Sequence, residues 1–188
     1  MRRYSSFFLF FLLAGCATVV FSCKKDAKKT DTETGYYMRF KIDGTAVEYK
    51  GQVEGIFDKA TSLQYNTSLA GLKEQLNNSR NNMTVLLATE EETLTGKDYS
   101  SYTPTVSGME KAKLVSLVYF DENGRQFFSW MEELSSALPP GTETKAVVRI
   151  TEATDEYFKG SFSGVLYTED YSTKLNVTDG DFFARRFN

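Results

Sequence analysis

Short runs in which apolar and polar residues alternate, each cut off by a glycine-bearing turn, constrain this chain of 188 residues more than any other feature. Met38, Phe40 and Ile42 alternate with Tyr37, Arg39 and Lys41, the period-two pattern of a strand with one buried and one wet face. Asp43-Gly44 then supplies a tight turn into Ala46 to Lys50. Further strands are expected at Gln52 to Phe57, Ser62 to Leu69 and Thr84 to Thr89 (TVLLAT), and a stronger one at Lys113 to Asp121 (KLVSLVYFD). Asn123-Gly124 joins that run to Arg125–Met131, the strongest short-range hairpin signal in the chain. Lys145 to Glu152, Tyr157 to Thr168, Ser172 to Thr178 and Asp181 to Phe187 complete the pattern, separated by Asp, Glu and Gly.

Strands at this spacing predict an all-β fold, an antiparallel β-sandwich, with a lipocalin-like open barrel as the alternative. Two segments carry a competing period. Leu69, Leu72 and Leu76 fall at helical spacing, and Trp130 to Leu138 (WMEELSSAL) suits a short helix before Pro139-Pro140. Each reads equally as a helical turn or as a loop or strand edge, so at most one or two short helices are expected.

The N-terminus follows a different logic. Arg2 and Arg3 precede an apolar run from Phe7 to Phe21, which ends at Ser22-Cys23-Lys24-Lys25. As a helix the run would span about 22 Å, short of the roughly 30 Å hydrocarbon core of a bilayer, so an export signal fits better than a membrane span. A small residue before a cysteine resembles the lipobox of bacterial lipoproteins, which implies acylation of that cysteine as the first mature residue. Cys16, in Leu13-Ala14-Gly15-Cys16, matches the general pattern more closely. Cleavage there would leave Val19, Val20 and Phe21 on the mature tail, so Cys23 is preferred and Cys16 is the alternative. Residues 1–22 are then the signal peptide, 23–35 an acylated disordered tether, and 36–188 a single β domain. The tether segment Lys24 to Gly35 lacks apolar periodicity and would reach about 40 Å if fully extended.

Loss of residues 1–22 removes two arginines and no acids, leaving 20 basic against 25 acidic groups. With no clustered basic stretch, nucleic acid is not expected as a partner. Both cysteines lie in the signal region, so the domain has neither disulfides nor a thiol nucleophile. It has no histidine either, which removes the usual partner of a serine nucleophile and the commonest zinc ligand. No cofactor or metal is expected.

Gly96-Lys97-Asp98-Tyr99, Tyr119-Phe120-Asp121-Glu122-Asn123-Gly124, Val148-Arg149-Ile150-Thr151-Glu152, Lys159-Gly160-Ser161-Phe162-Ser163-Gly164 and Val177-Thr178-Asp179-Gly180-Asp181-Phe182 follow one another in order. Together they resemble a group of small uncharacterised Bacteroidetes lipoproteins whose chains end in a GxF…ITDGxF hairpin. The resemblance covers roughly residues 90–188 and the signal. It implies an outer-membrane-anchored β domain, with its face undetermined, and carries over no catalytic or binding residue. Physically, Gly160 and Gly164 share a strand face with Phe158, Phe162 and Leu166, where they leave room for rings or backbone to lie close.

The remaining candidates each have a plain structural reading. Glu152, Asp155, Glu156, Asp179 and Asp181 are the acids from which a carboxylate-dependent glycosidase would need two flanking one bond, yet all lie in or near predicted turns. Asp121-Glu122-Asn123-Gly124 and Asp179-Gly180-Asp181 offer oxygen ligands but lack the EF-hand spacing, and turn chemistry explains them better. Glu90-Glu91-Glu92 reads as a solvated loop. Asn66, Asn82 and Asn176 match the N-glycosylation pattern by chance in a bacterial lipoprotein. Trp130, Tyr99, Tyr102, Tyr167 and Tyr171 lie near predicted loops or strand ends, and are the candidate contacts for a glycan or an envelope protein. The expected function is therefore a non-enzymatic binding module attached to the membrane by its N-terminal lipid. A purely structural envelope lipoprotein is the alternative, and a carboxylate-dependent hydrolase ranks third.

Overall fold

The computed structural model describes residues 35–61, 64–73, 80–93, 95–100, 109–129, 142–143 and 145–187. Among these the fold is all-β. The strands are β1 (Tyr37–Ile42), β2 (Thr45–Lys50), β3 (Gln52–Thr61), β4 (Gln64–Leu72), β5 (Asn82–Thr89) and β6 (Asp98–Ser100). They continue with β7 (Met109–Lys111), β8 (Leu114–Phe120), β9 (Gln126–Phe128), β10 (Ala146–Ala153), β11 (Tyr157–Tyr167) and β12 (Lys174–Phe187).

The strands form one twelve-stranded sheet in the order β2-β1-β12-β3-β4-β5-β8-β9-β11-β10-β6-β7, and a further pairing of β12 with β11 closes the run from β12 through β3, β4, β5, β8 and β9 to β11 on itself. Almost every pairing is antiparallel, but β12–β3 and β6–β7 are parallel. The long β11–β12 hairpin makes that closure, pairing with β3 on one side and β9 on the other. The C-terminal end of β12 pairs with β3 at Arg185↔Glu54, Arg186↔Gly55 and Phe187↔Ile56, while the C-terminal end of β11 meets β9 at Tyr167↔Phe128. The all-β expectation holds, and both the expected sandwich and its open-barrel alternative are consistent with this one large sheet.

The interior is packed side chain against side chain. Met38, Val53, Met83, Val115, Leu117, Val148, Leu166 and Ala184 have no exposed surface. Phe40 of β1 meets Tyr119 of β8, which is not its sheet neighbour, at 6.1 Å between ring centroids. Removing such rings from water is the chief stabilising term of a domain without disulfides. Glycines set how closely the strands approach. A Cβ on Gly160 would stand 2.0 Å from the Arg149 carbonyl oxygen and 2.5 Å from Phe182 Cζ, so this position takes no side chain. The crowding expected of the Gly160 face is therefore present.

Asp43-Gly44 forms the expected two-residue turn, with φ of 46° and 84° and Ile42 opposite Thr45. Asp43 Oδ1 also accepts hydrogen bonds from Asn176 N (2.9 Å) and Asn176 Nδ2 (2.8 Å), pinning this turn to β12. At Asn123-Gly124 only Gly124 has positive φ, and the hairpin closes over five residues, with Phe120 opposite Gln126. Asp121 Oδ1 accepts from Asn123 N and Arg125 N, both at 2.8 Å, so its carboxylate is spent on its own turn.

One expectation is corrected, one open reading is decided, and two strands are new. Ser172 to Thr178 and Asp181 to Phe187 are not two strands but one, β12, and Asp179-Gly180 is a bulge within it. Asp179 adopts φ 53°, and the register against β1 slips there, from Arg39↔Asp181 to Lys41↔Thr178. Leu69 and Leu72, at helical spacing, belong to β4, with Leu69 buried against Gly55. Strands β6 and β7, unforeseen, extend the β10 edge. Trp130 to Leu138 lies outside the described residues.

Candidate functional site

A groove of about 740 Å³ opens where the β11–β12 turn meets the β8–β9 hairpin, lined by Arg125, Gln126, Phe128, Thr168, Glu169 and Asp170. Its position follows from the fold: the Tyr167↔Phe128 pairing brings two chain reversals together at one corner. Backbone bonds close the β11–β12 turn from Thr168 N to the Thr173 carbonyl at 3.1 Å, and from Tyr171 N to the Thr168 carbonyl at 2.9 Å.

Side chains then fix the walls. Asp170 Oδ1 accepts from the Thr168 hydroxyl (2.7 Å), the Ser172 hydroxyl (2.8 Å) and Ser172 N (3.1 Å). These bonds, Thr168 first, lower the carboxyl to a pKa of about 2, because each donor favours the charged form. Arg125 Nη2 donates to Thr173 Oγ1 at 2.6 Å and to Ser172 Oγ at 3.4 Å, tying one hairpin to the other. Its guanidinium also lies 5.3 Å from the Phe127 ring centroid. The groove thus presents a guanidinium, a carboxamide, a hydroxyl and carboxylates around the ring of Phe128. That set suits a polar ligand with several hydroxyls and one apolar face.

Of the aromatic residues singled out from sequence, Tyr167 and Tyr171 flank the groove-lining segment Thr168–Asp170 without lining the groove themselves; their ring centroids are 6.3 Å apart, and Tyr167 is buried. Tyr171 adopts φ 59° in the turn, and the Tyr167 hydroxyl accepts from Glu143 N at 3.3 Å. Tyr99 lies elsewhere: it is 4% exposed on β6 and belongs to the core cluster. Trp130, Tyr102, Cys16 and Cys23 lie outside the described residues. Sequence reasoning did not single out Arg125, Gln126, Phe128 and Thr168. The closely spaced Thr168, Asp170 and Ser172 were the available signal, since such residues fold back on their own backbone.

The candidate carboxylates lie on β10 and β12 and in turns. Glu152 accepts from the Tyr157 hydroxyl on one oxygen and from Lys159 Nζ on the other at 2.8 Å. Lys159, then Tyr157, holds this carboxyl below its ordinary range. Asp179 pairs with Lys41 at 2.9 Å, and Asp181 hydrogen-bonds Tyr37, which raises the Tyr37 hydroxyl. Asp155 and Glu156 sit in the β10–β11 turn, where the Glu156 carbonyl accepts from Arg186 N at 2.8 Å. Glu90, Glu91 and Glu92 are exposed, and the Glu91 carbonyl accepts from the Thr89 hydroxyl at 2.7 Å. Among the described residues no group of three Asp, Glu, His or Cys side chains is placed to hold a metal ion.

No family model matches the chain, and neither a curated protein nor a solved structure does so.

Proposed function

We propose that this protein is a lipid-anchored envelope protein, attached through Cys23, whose β domain binds a glycan without performing chemistry on it. The groove carries the proposal. Arg125 is fixed by two hydroxyls, and Asp170 by three donors, so polar groups are held in place around an aromatic ring before any ligand arrives. Preorganisation of this kind lowers the ordering cost of binding. Sugar rings offer the complementary surface, hydroxyls at the rim and an apolar C–H face for Phe128.

The test uses the full-length protein in detergent, screened against envelope and dietary glycans with and without EDTA. Binding is expected to survive EDTA. Arg125→Ala is expected to weaken it by about tenfold, the factor that loss of one charged hydrogen bond represents. Unchanged binding by Arg125→Ala, or retention of envelope proteins but no glycan, would overturn the glycan reading. The anchor is tested separately by fatty-acid labelling, in which label retained by Cys23→Ala would assign acylation to Cys16.

A further inference from the structure

The two large apolar side chains exposed among the described residues are neighbours. Ile56 is 54% exposed and Phe187 39%, and they face each other across the parallel β3–β12 pairing. Strand alternation continues that face along β12 through Arg185 to Phe183, with Tyr157 opposite Arg185 and Tyr37 opposite Phe183. Arg185 lies 4.9 Å from the Phe187 ring centroid. Phe183 is ringed by Tyr36, Tyr157 and Tyr37 at 4.8, 5.1 and 6.3 Å. Three apolar side chains, three tyrosines and an arginine thus occupy one stretch of the sheet, far along β12 from the groove.

The chain enters the domain inside this patch. Tyr36 precedes β1, and its ring touches Phe183. Everything N-terminal to it, including the acylated cysteine, joins the domain there. A tether of twelve residues bearing Lys24, Lys25, Lys28 and Lys29, and also Asp26, Asp31 and Glu33, leads from Cys23 to this point. The local composition is that of a membrane interface: apolar side chains to enter the acyl boundary, tyrosines for the headgroup level, and cations for phosphate. Acids are present too, since Glu54 is opposite Arg185 and Glu152 holds Lys159. Apolar insertion, rather than net charge, therefore supplies most of the attraction.

We propose that this patch rests on the headgroup layer of the membrane that carries the lipid anchor, so that the domain lies against the bilayer with the β11–β12 turn directed away. The proposal rests on the anchored reading of Cys23. A single acyl attachment leaves a tethered domain free to tumble, whereas a second, weak contact orients it through the high effective concentration that tethering provides.

The experiment uses full-length, acylated protein in vesicles of phosphatidylethanolamine with phosphatidylglycerol. A polarity-sensitive fluorophore is placed at Ile56→Cys or, in a second variant, at Glu122→Cys in the β8–β9 hairpin. Flotation reports the anchor, and emission reports the contact. Expected are flotation of both variants, a blue shift at position 56 and none at position 122. The shift is expected to disappear on Phe187→Ser in the Ile56→Cys background. Flotation without a shift at 56, or equal shifts at both positions, would overturn the contact while sparing the anchor. Failure to float would overturn the anchor and the contact with it. A shift at 56 that grows with protein-to-lipid ratio would assign the patch to a second copy of the chain instead.

Discussion

Tyr49→Phe should make the protein more stable. Tyr49 on β2 is 2% exposed, packs its ring 5.6 Å from Phe40, and among the described residues its hydroxyl has no hydrogen-bond partner. A hydroxyl taken out of water without a partner costs about 1–3 kcal/mol, and phenylalanine keeps the ring while removing that cost. Some of the gain is lost because the space left by the oxygen is not filled, so a net stabilisation of about 1 kcal/mol is expected. For a domain of about 150 residues that is a rise in melting temperature of roughly 2–4 °C. Urea unfolding of wild type and variant at pH 7 measures it directly. The same group gives a second signature at high pH. Burial, with Tyr119 nearby, pushes the Tyr49 hydroxyl well above its ordinary value, so the unfolded chain ionises first. Its contribution is complete below about pH 10 and is lost as pH rises from there toward the folded value. Tyr49→Phe should therefore flatten the alkaline fall in stability, the rest of which comes from other raised tyrosines such as Tyr119. A variant destabilised by more than about 0.5 kcal/mol would refute the reasoning, for it would mean the hydroxyl is bonded in the folded protein.

Two further predictions concern the frame and the groove. Gly160→Ala should cost at least about 3 kcal/mol, because the new Cβ meets the Arg149 backbone oxygen, which cannot swing aside as a side chain can; urea unfolding checks it. Asp170 has its pKa lowered to about 2, so its contribution to the β11–β12 turn is present above the unfolded carboxylate value near 4 and is lost as pH falls through 2. Asp170→Asn should therefore unfold more readily than wild type at pH 7, the gap closing below pH 2. A gap of equal size at both pH values would refute the role of the charge.

How far the chain's residues disclosed their arrangement depended on whether the deciding forces were local. Asp43-Gly44 was legible because both residues take positive φ on their own account, whatever surrounds them. Asp179-Gly180 has the same composition and reads the same way, yet it is a bulge, because β1 and β11 flank it and keep the strand going. Nothing within a few residues of Asp179 carries that information. Leu69 and Leu72 show the same limit: their helical spacing is overridden once β3 and β5 pair with β4 on either side. Tyr99 was recognisable as an aromatic near a turn, but its burial depends on β10, about fifty residues further along the chain. Of the groove only its neighbourhood was legible. Tyr167 and Tyr171 were singled out as chain-end aromatics, whereas Arg125 and Phe128 come from another hairpin and meet Thr168 only through the corner pairing of β9 with β11.

That β12 touches β1, β3 and β11 at once has a consequence for the order in which the molecule is made. Strands β1 and β3 come from the first third of the described chain, and the strand that completes them is made after all the other described ones. Until it arrives, the β1–β2 hairpin has no third strand and Met38 and Phe40 have no lid, and two-stranded hairpins are marginal in water. Closure must then span well over a hundred residues, which makes for slow acquisition of structure. Pairing of β1 and β3 with β12 is therefore the long-range step on which the rest of the sheet waits.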